Sequence, residues 1–275
     1  MLIRVFGWIL ALSMQGQRDN LEPTDRLVPS GYKGNPWGPT ATLDRKTGKL
    51  PAIAMTPAMT AWDKWGRAVL KEGDIVFRRG DAYVLFGKFP FSKWLANASG
   101  SPFSHTGVVA IEDGLPVVYD TTHSSVRRQP FSIWILDNVG QVGVKRLKAE
   151  QRKQIPEVIA FCRKLFVEQP PFDFELDLDD KAYYCLEMTE KAYRAANLKL
   201  SEPIRIGDME HASQHPLVIF MFQTATPWVL QKGLTPEHEI FLPGNERHGI
   251  WASPLLETVY PTTPLASKTV TGARN

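Results

Sequence analysis

Residues 104–121 read SHTGVVAIEDGLPVVYDT. The run from Ser104 to Glu112 is rich in β-branched residues, which favour strands. Asp113-Gly114 is a hairpin turn signal, and the run from Pro116 to Thr121 returns as a partner strand. This stretch therefore predicts an antiparallel β-hairpin around which the rest of the fold is arranged.

Further strands and helices follow in separate blocks. GDIVFRR, which begins at Gly73, and VGVKRL at 142–147 are both typical of strands. A helical pattern opens at Pro156, and a second helix is predicted to start close to Cys185. Strands and then helices in blocks, without βαβ alternation, predict an α+β domain with an antiparallel sheet packed on helices.

The composition changes along the chain and divides it into four segments. Residues 1–14 combine one Arg with an apolar run, VFGWILALSM, and predict a signal peptide. Residues 15–58 are rich in Pro, Gly, Asn and Thr, which predicts an extended arm, and a short amphipathic helix is expected from Thr60 to Lys71. The main domain is assigned to 59–265, and 266–275 is expected to be a flexible tail.

The bulk numbers exclude several classes of function. With 32 basic and 29 acidic residues, the formal charge of +3 is too balanced to predict a nucleic-acid partner. Two cysteines are too few for a disulfide framework, and no CxxC or HExxH motif indicates a metal. We therefore expect no cofactor and no metal.

Three side chains are candidates for nucleophilic catalysis. Cys185 lies at a predicted helix start, where the helix dipole is expected to lower the pKa of its thiol. His105 opens one strand of the hairpin and Asp120 lies on the other, so the histidine is a candidate base and the aspartate a candidate orienting group. The strand register decides whether these two share a face, and the turn alone leaves it open.

Other residues have less demanding interpretations. His123 is an alternative third group but is better explained as part of a polar loop, and Glu112 as a solvated turn residue. Glu187 is interpreted as structural support that pairs with a basic residue. Cys162 lies on an apolar helical stripe with Val158 and other core-type residues, where a thiol behaves as a small hydrophobe.

Five pieces of the sequence together resemble the YiiX and YaeF group of permuted papain-fold cysteine hydrolases. These relatives of the NlpC-type peptidases and of lecithin-retinol acyltransferase share the order and spacing of the pieces over roughly half the chain. The matching pieces are GDIVF at 73–77, SPFSHTGVV at 101–109, VVYD at 117–120, FDFELDLDDKAYYCLE at 172–187 and ASPLLETVY at 252–260.

The resemblance implies a papain-like core in permuted order, with the histidine strand before the cysteine helix. It implies Cys185 as the nucleophile, His105 as the base and Asp120 as the third polar residue, where many relatives carry Glu. Leu186 departs from the Ser that usually follows the cysteine. We expect the backbone N–H of Cys185 to help bind the oxyanion, with Tyr184 or Tyr83 as a further donor.

The leading functional hypothesis is a cysteine hydrolase that cleaves amide bonds in cell-wall peptides or small amides through an acyl-enzyme. The alternatives are an acyltransferase or lipid or thioester hydrolase on the same triad, and a non-catalytic binding module. The expected partners are a small-molecule, peptide or acyl substrate and the cell envelope. The signal peptide predicts export to the periplasm or cell envelope.

Overall fold

The computed structural model of the protein describes residues 24, 27–29, 31–82, 90–214 and 234–261. The predicted signal peptide at 1–14 and the predicted tail at 266–275 lie outside these ranges, so both remain predictions. No helix within the described ranges is long and apolar enough to cross a membrane.

Eight strands and six α-helices are present in the described residues. The strands are β1 Ile75–Arg78, β2 His105–Glu112, β3 Leu115–Thr122, β4 Ser125–Pro130, β5 Val142–Leu147, β6 Ile204–Arg205, β7 Glu239–Ile240 and β8 Leu256–Tyr260. The helices are α1 Pro39–Lys46, α2 Pro57–Val69, α3 Phe91–Ala98, α4 Phe131–Trp134, α5 Ile155–Glu168 and α6 Cys185–Ala195. A 3-10 turn, Ile135–Asp137, continues α4.

One antiparallel sheet of six strands organises the molecule. Its order is β4-β3-β2-β1-β5-β8, while β6 and β7 form a separate antiparallel pair. The predicted hairpin is confirmed as β2–β3, with Asp113 and Gly114 both at positive φ in the turn. The α+β class predicted from the order of strands and helices is thus confirmed.

Helices cover both faces of this sheet. Alternate strand residues such as Ile75, Val108 and Tyr119 face the main core, to which α5 and α6 contribute Cys162 and Leu186. The residues between them face a second cluster, to which α4 contributes Phe131 and Trp134 and against which Trp62 and Trp65 of α2 pack. This second cluster contains Leu70, Val76, Val109, Val118, Phe131, Trp134, Ile135 and Val144. The prediction that Cys162 is a core residue is confirmed by its complete burial.

The segment predicted as an extended arm departs from that prediction at residues 39–46, which form the helix α1. The flanking Gly and Asn residues indicated turns, but Pro39 occupies the first helical turn, where its missing N–H costs nothing. The helix predicted from Thr60 to Lys71 is observed as Pro57–Val69, opened by a capping box at Thr56.

Gly107 allows the two strands of the hairpin to approach closely. A Cβ atom at this position would lie 2.4 Å from Val118 Cγ1.

We therefore expect Gly107→Ala to lower the free energy of unfolding by about 1–3 kcal/mol through overpacking, measured by urea denaturation. In a Val118→Ala background the same substitution should cost less, since the clashing methyl is gone. An equal cost in both backgrounds would contradict this origin of the strain.

Candidate active site

The register of the hairpin brings His105 and Asp120 together. Extending the pairing of Val108 with Tyr119 by one residue sets Gly107 opposite Asp120, and His105 lies two residues earlier on the same face. His105 Nε2 is 2.6 Å from Asp120 Oδ2. Because Gly107 has no side chain, nothing fills the diagonal between the imidazole and the carboxylate.

The Asp120 carboxylate is buried and surrounded by donors. Its Oδ2 accepts hydrogen bonds from Arg127 Nη2 at 2.7 Å and Trp134 Nε1 at 2.7 Å, and its Oδ1 accepts one from Arg127 Nε at 3.0 Å. Burial alone would raise the pKa of Asp120, but the charge of Arg127 and the bond to His105 outweigh it and hold the pKa well below its usual range. Asp120 is therefore an anion that only accepts hydrogen bonds.

The ionised state of Asp120 fixes the histidine tautomer. Because the carboxylate carries no proton, the hydrogen in the short contact belongs to His105 Nε2, and Nδ1 remains as the basic nitrogen. Burial and the nearby charge of Arg78 lower the pKa of His105, while Asp120 acts in the opposite direction. The imidazole is thus neutral near pH 7, with 12% of its side chain exposed.

The start of α6 lies beside the end of β2. Thr106, the neighbour of His105, contacts Cys185 O through its hydroxyl at 3.4 Å and Thr189 Oγ1 at 2.9 Å. Backbone N–H groups of Thr106 and Leu186 also reach the Cys185 sulfur. The structure therefore brings Cys185 to the strand end that carries His105, and both side chains retain partial exposure.

The protonation state of Cys185 differs from the prediction. The helix start was expected to lower the pKa of its thiol, but burial raises it to about 12, and the negative charge of Asp120 acts in the same direction. The backbone N–H groups and Arg78 offset only part of this effect. At neutral pH, the start of α6 therefore carries a thiol, and the neighbouring strand end carries a neutral imidazole.

Of the two tyrosines expected as oxyanion donors, only Tyr184 lies in the described part of the chain. Tyr184 is buried and its hydroxyl accepts the N–H of Phe241 at 2.6 Å, so it anchors the residue before the helix and is not free to bind an oxyanion. Tyr83 lies outside the described residues. The first N–H groups of α6, which have no partner within the helix, are the remaining donors at Cys185.

Comparison with known proteins gives the family. Residues 69–249 match the model of the C92 family, described as permuted papain-like amidase enzymes of the YaeF/YiiX type. The chain belongs to this family. It is 24% identical over 219 residues to the uncharacterized protein YiiX of Escherichia coli K12, covering 79% of this chain and 96% of YiiX.

A solved structure shows the same fold. The crystal structure of a protein named metalloprotein yiiX, from Escherichia coli O157:H7, matches with a TM-score of 0.53 and 23% identity over 68% of this chain and 95% of that chain. The permuted papain-like architecture expected from the motifs is thus confirmed, and in this C92 chain the histidine strand precedes the cysteine helix.

Sequence reasoning missed the basic residues behind the histidine. Arg78 pairs with His105 across β1 and β2, and Arg127 pairs with Asp120 across β3 and β4. Both guanidinium groups are fully buried. Arg78 lies in the predicted strand GDIVFRR, but the pairing of that strand with His105 was not predicted. Arg127 lies directly opposite the candidate acid, which becomes visible only once β4 is recognised, and its sequence SVRRQP was not predicted as a strand.

The alternative residues contribute elsewhere. His123 lies in the exposed turn between β3 and β4, in agreement with the polar loop that was predicted. Glu112 is not a solvated turn residue, because it accepts hydrogen bonds from Tyr119 and Arg128. Glu187 Oε1 is 4.0 Å from Lys191 Nζ, which is the basic neighbour expected for it.

Glu187 is nevertheless in a poor environment for a charge. It is fully buried, and burial together with the nearby Asp173 raises its pKa to about 8 from an ordinary value of 4.5. Between these two pH values, the folded protein holds a proton that the unfolded chain releases. The stability contributed by this group therefore falls as the pH rises through that window.

We expect Glu187→Gln to remove this pH dependence. The variant should match the parent protein near pH 4.5 and exceed it above pH 8 by on the order of 2–4 kcal/mol in the free energy of unfolding. Urea denaturation at both pH values measures the difference. The matched control is Glu190→Gln on the same helix, where the buried carboxylate accepts bonds from Leu200 and Ser201 and the substitution should destabilise. A gain for Glu187→Gln that is the same at both pH values would contradict the assignment.

Proposed function

We propose that the protein is a cysteine amidase in which Cys185 attacks the carbonyl, His105 is the general base and Asp120 orients the imidazole. The observation that carries the proposal is the 2.6 Å contact between His105 Nε2 and the buried Asp120 carboxylate, at the strand end where α6 begins. Membership of an amidase family supports amide bonds as the substrate class.

The reaction begins from neutral partners. As the Cys185 sulfur bonds to the carbonyl carbon, its proton passes to His105 Nδ1 and the carbonyl π electrons move to the oxygen. The oxyanion is bound by backbone N–H groups at the start of α6. The tetrahedral intermediate collapses, the C–N bond breaks, and Nδ1 returns the proton to the leaving amine, which leaves a thioester on Cys185.

Water completes the cycle. His105 Nδ1 removes a proton from a water molecule as it attacks the thioester, and the sulfur leaves as the thiol when that proton is returned. Throughout both halves, Asp120 keeps the Nε2–H in place and offsets the charge of the imidazolium.

The described part of the chain contains no group of three or more His, Cys, Asp or Glu side chains placed to hold a metal ion. The name metalloprotein of the structural neighbour therefore finds no matching set of ligands in these residues.

For the substrate, we propose peptides or small amides, with cell-wall peptides as the leading case. This choice rests on the predicted export of the chain. Incubation with purified cell-wall peptides and with simple peptide amides, followed by mass spectrometry, identifies the bond that is cleaved. Product that carries an added amine or alcohol, in place of water, would indicate the acyltransferase alternative.

The two cysteines provide a matched pair of variants. Cys185→Ala should abolish hydrolysis, since it removes the attacking sulfur, whereas Cys162→Ala should retain it because Cys162 is fully buried in the main core and is not accessible to substrate. Initial rates of amine release measure both. Unchanged turnover in the folded Cys185→Ala protein would exclude the proposed nucleophile.

The pH profile follows from the state of the base. His105 must be unprotonated to accept the proton, and its pKa lies below the ordinary 6.5. We therefore expect kcat/KM to rise with pH on an acidic limb whose midpoint lies below pH 6.5. A midpoint above pH 7 would show that the imidazole is charged in the resting site, contrary to the proposal.

A further inference from the structure

The N-terminal segment reaches the buried charges behind the histidine. Thr24 is fully buried, and it donates its backbone N–H to Asp137 Oδ1 at 3.0 Å and its hydroxyl to Asp137 Oδ2 at 2.8 Å. The two residues are separated by 113 positions in the chain. A residue of the predicted arm therefore donates a hydrogen bond to each oxygen of a carboxylate in the body of the protein.

Asp137 in turn faces the two arginines of the site. It ends the 3-10 turn after α4, and its Oδ2 is 3.0 Å from Arg78 Nη1 and 3.7 Å from Arg127 Nη1. The same arginines approach Asp120 Oδ2 at 4.0 Å and 2.7 Å. Each arginine therefore lies between the aspartate that contacts Thr24 and the aspartate that contacts the histidine.

The charges of this network balance. Two buried guanidinium groups and two buried carboxylates sum to zero, so their net effect on the neighbouring imidazole depends on both carboxylates remaining ionised. Burial raises the pKa of Asp137, but Arg78, Arg127 and the two bonds from Thr24 outweigh it and keep the group ionised. Without that anion, the positive charge of the arginines would act on His105 with less compensation.

We propose that Thr24 is a positioning residue of the candidate active site, because its two hydrogen bonds hold Asp137 against Arg78 and Arg127 and so set the basicity of His105. The proposal rests on the function proposed above and extends the site to Thr24.

The surroundings of His105 connect it to this network. The charged groups that act on the imidazole are Arg78 from β1, Asp120 from β3 and Arg127 from β4, and all three belong to the network that Asp137 completes. From α6, Cys185 contacts the neighbouring Thr106, and Arg78 and Asp120 act on its thiol as well. A change at Thr24 can therefore reach the imidazole through Asp137 and the two arginines.

The arm has a second anchor that serves as a control. Arg128 N donates to Trp37 O at 3.0 Å, and Asn35 Nδ2 donates to Val126 O at 2.7 Å, so the segment also lies along the edge strand β4. The side-chain amide of Asn35 donates to Val126 O and Gln169 Oε1, so its loss should loosen the arm without removing the donor of the Asp137 carboxylate.

The test is the titration of His105 by NMR of histidine-labelled full-length protein, with its signal among the six histidines assigned by loss in His105→Gln. Thr24→Val removes the hydroxyl donor at almost constant volume, and we expect the midpoint of His105 to shift to lower pH. Thr24→Ser should restore the parent midpoint. Asp137→Asn should shift it further in the same direction, and adding Thr24→Val to Asp137→Asn should produce no additional shift.

Three outcomes would overturn the proposal. They are a parent-like midpoint in Thr24→Val, a Thr24→Val shift that persists in the Asp137→Asn background, and an equal shift in Asn35→Ala. Thr24→Ala replaces Thr24→Val if the latter does not fold. The titration needs no turnover: a shift as expected in a protein that cleaves no amide refutes the proposed function alone, whereas amide hydrolysis with no shift refutes the role of Thr24 alone.

Discussion

The Asp120 carboxylate, sealed from solvent and bonded to His105, Arg127 and Trp134, is the interaction on which the site depends. Removing an ionised carboxylate from water costs several kcal/mol unless donors replace the lost hydration. Here those donors come from β2, β4 and α4, so the carboxylate is tolerated only when the hairpin, the next strand and the following helix are all in place. The same packing that stabilises the charge therefore aligns the imidazole.

The two arginines keep Asp120 ionised and thereby restrict it to accepting hydrogen bonds. Because Arg78 and Arg127 offset its charge, it is too weak a base to accept a proton yet still a strong hydrogen-bond acceptor, which suits a group that orients the histidine. The same positive charges make the imidazolium less favourable at rest. Together with a protonated thiol at Cys185, this gives a site without a thiolate–imidazolium pair, and in the proposed reaction charge develops only as the sulfur attacks the substrate.

Part of this arrangement is written locally in the sequence. Asp113-Gly114 between two β-branched runs predicts the hairpin, and the helical spacing around Cys162 predicts its burial, because turns and amphipathic stripes need only a few adjacent residues. The strand register that brings the His105 side chain to Asp120 cannot be predicted from adjacent residues alone, since it depends on the close approach of the two strands at Gly107. Arg127 was missed because SVRRQP, with adjacent arginines and a proline, has the pattern of an exposed loop, and only the folded sheet buries one of the two arginines.

The pKa of the Cys185 thiol could not be predicted from the local sequence. A helix start is visible in the sequence, and its dipole favours a thiolate by roughly 0.3–1 kcal/mol. Burial is a property of the whole fold, and a rise in the pKa from 9.0 to about 12 corresponds to about 4 kcal/mol against the thiolate. The non-local effect of burial is larger than the effect of the helix dipole, so the reaction proposed above starts from a thiol and forms the thiolate by proton transfer to His105. In that proposal, the buried polar groups behind His105 serve to hold the imidazole neutral and correctly oriented.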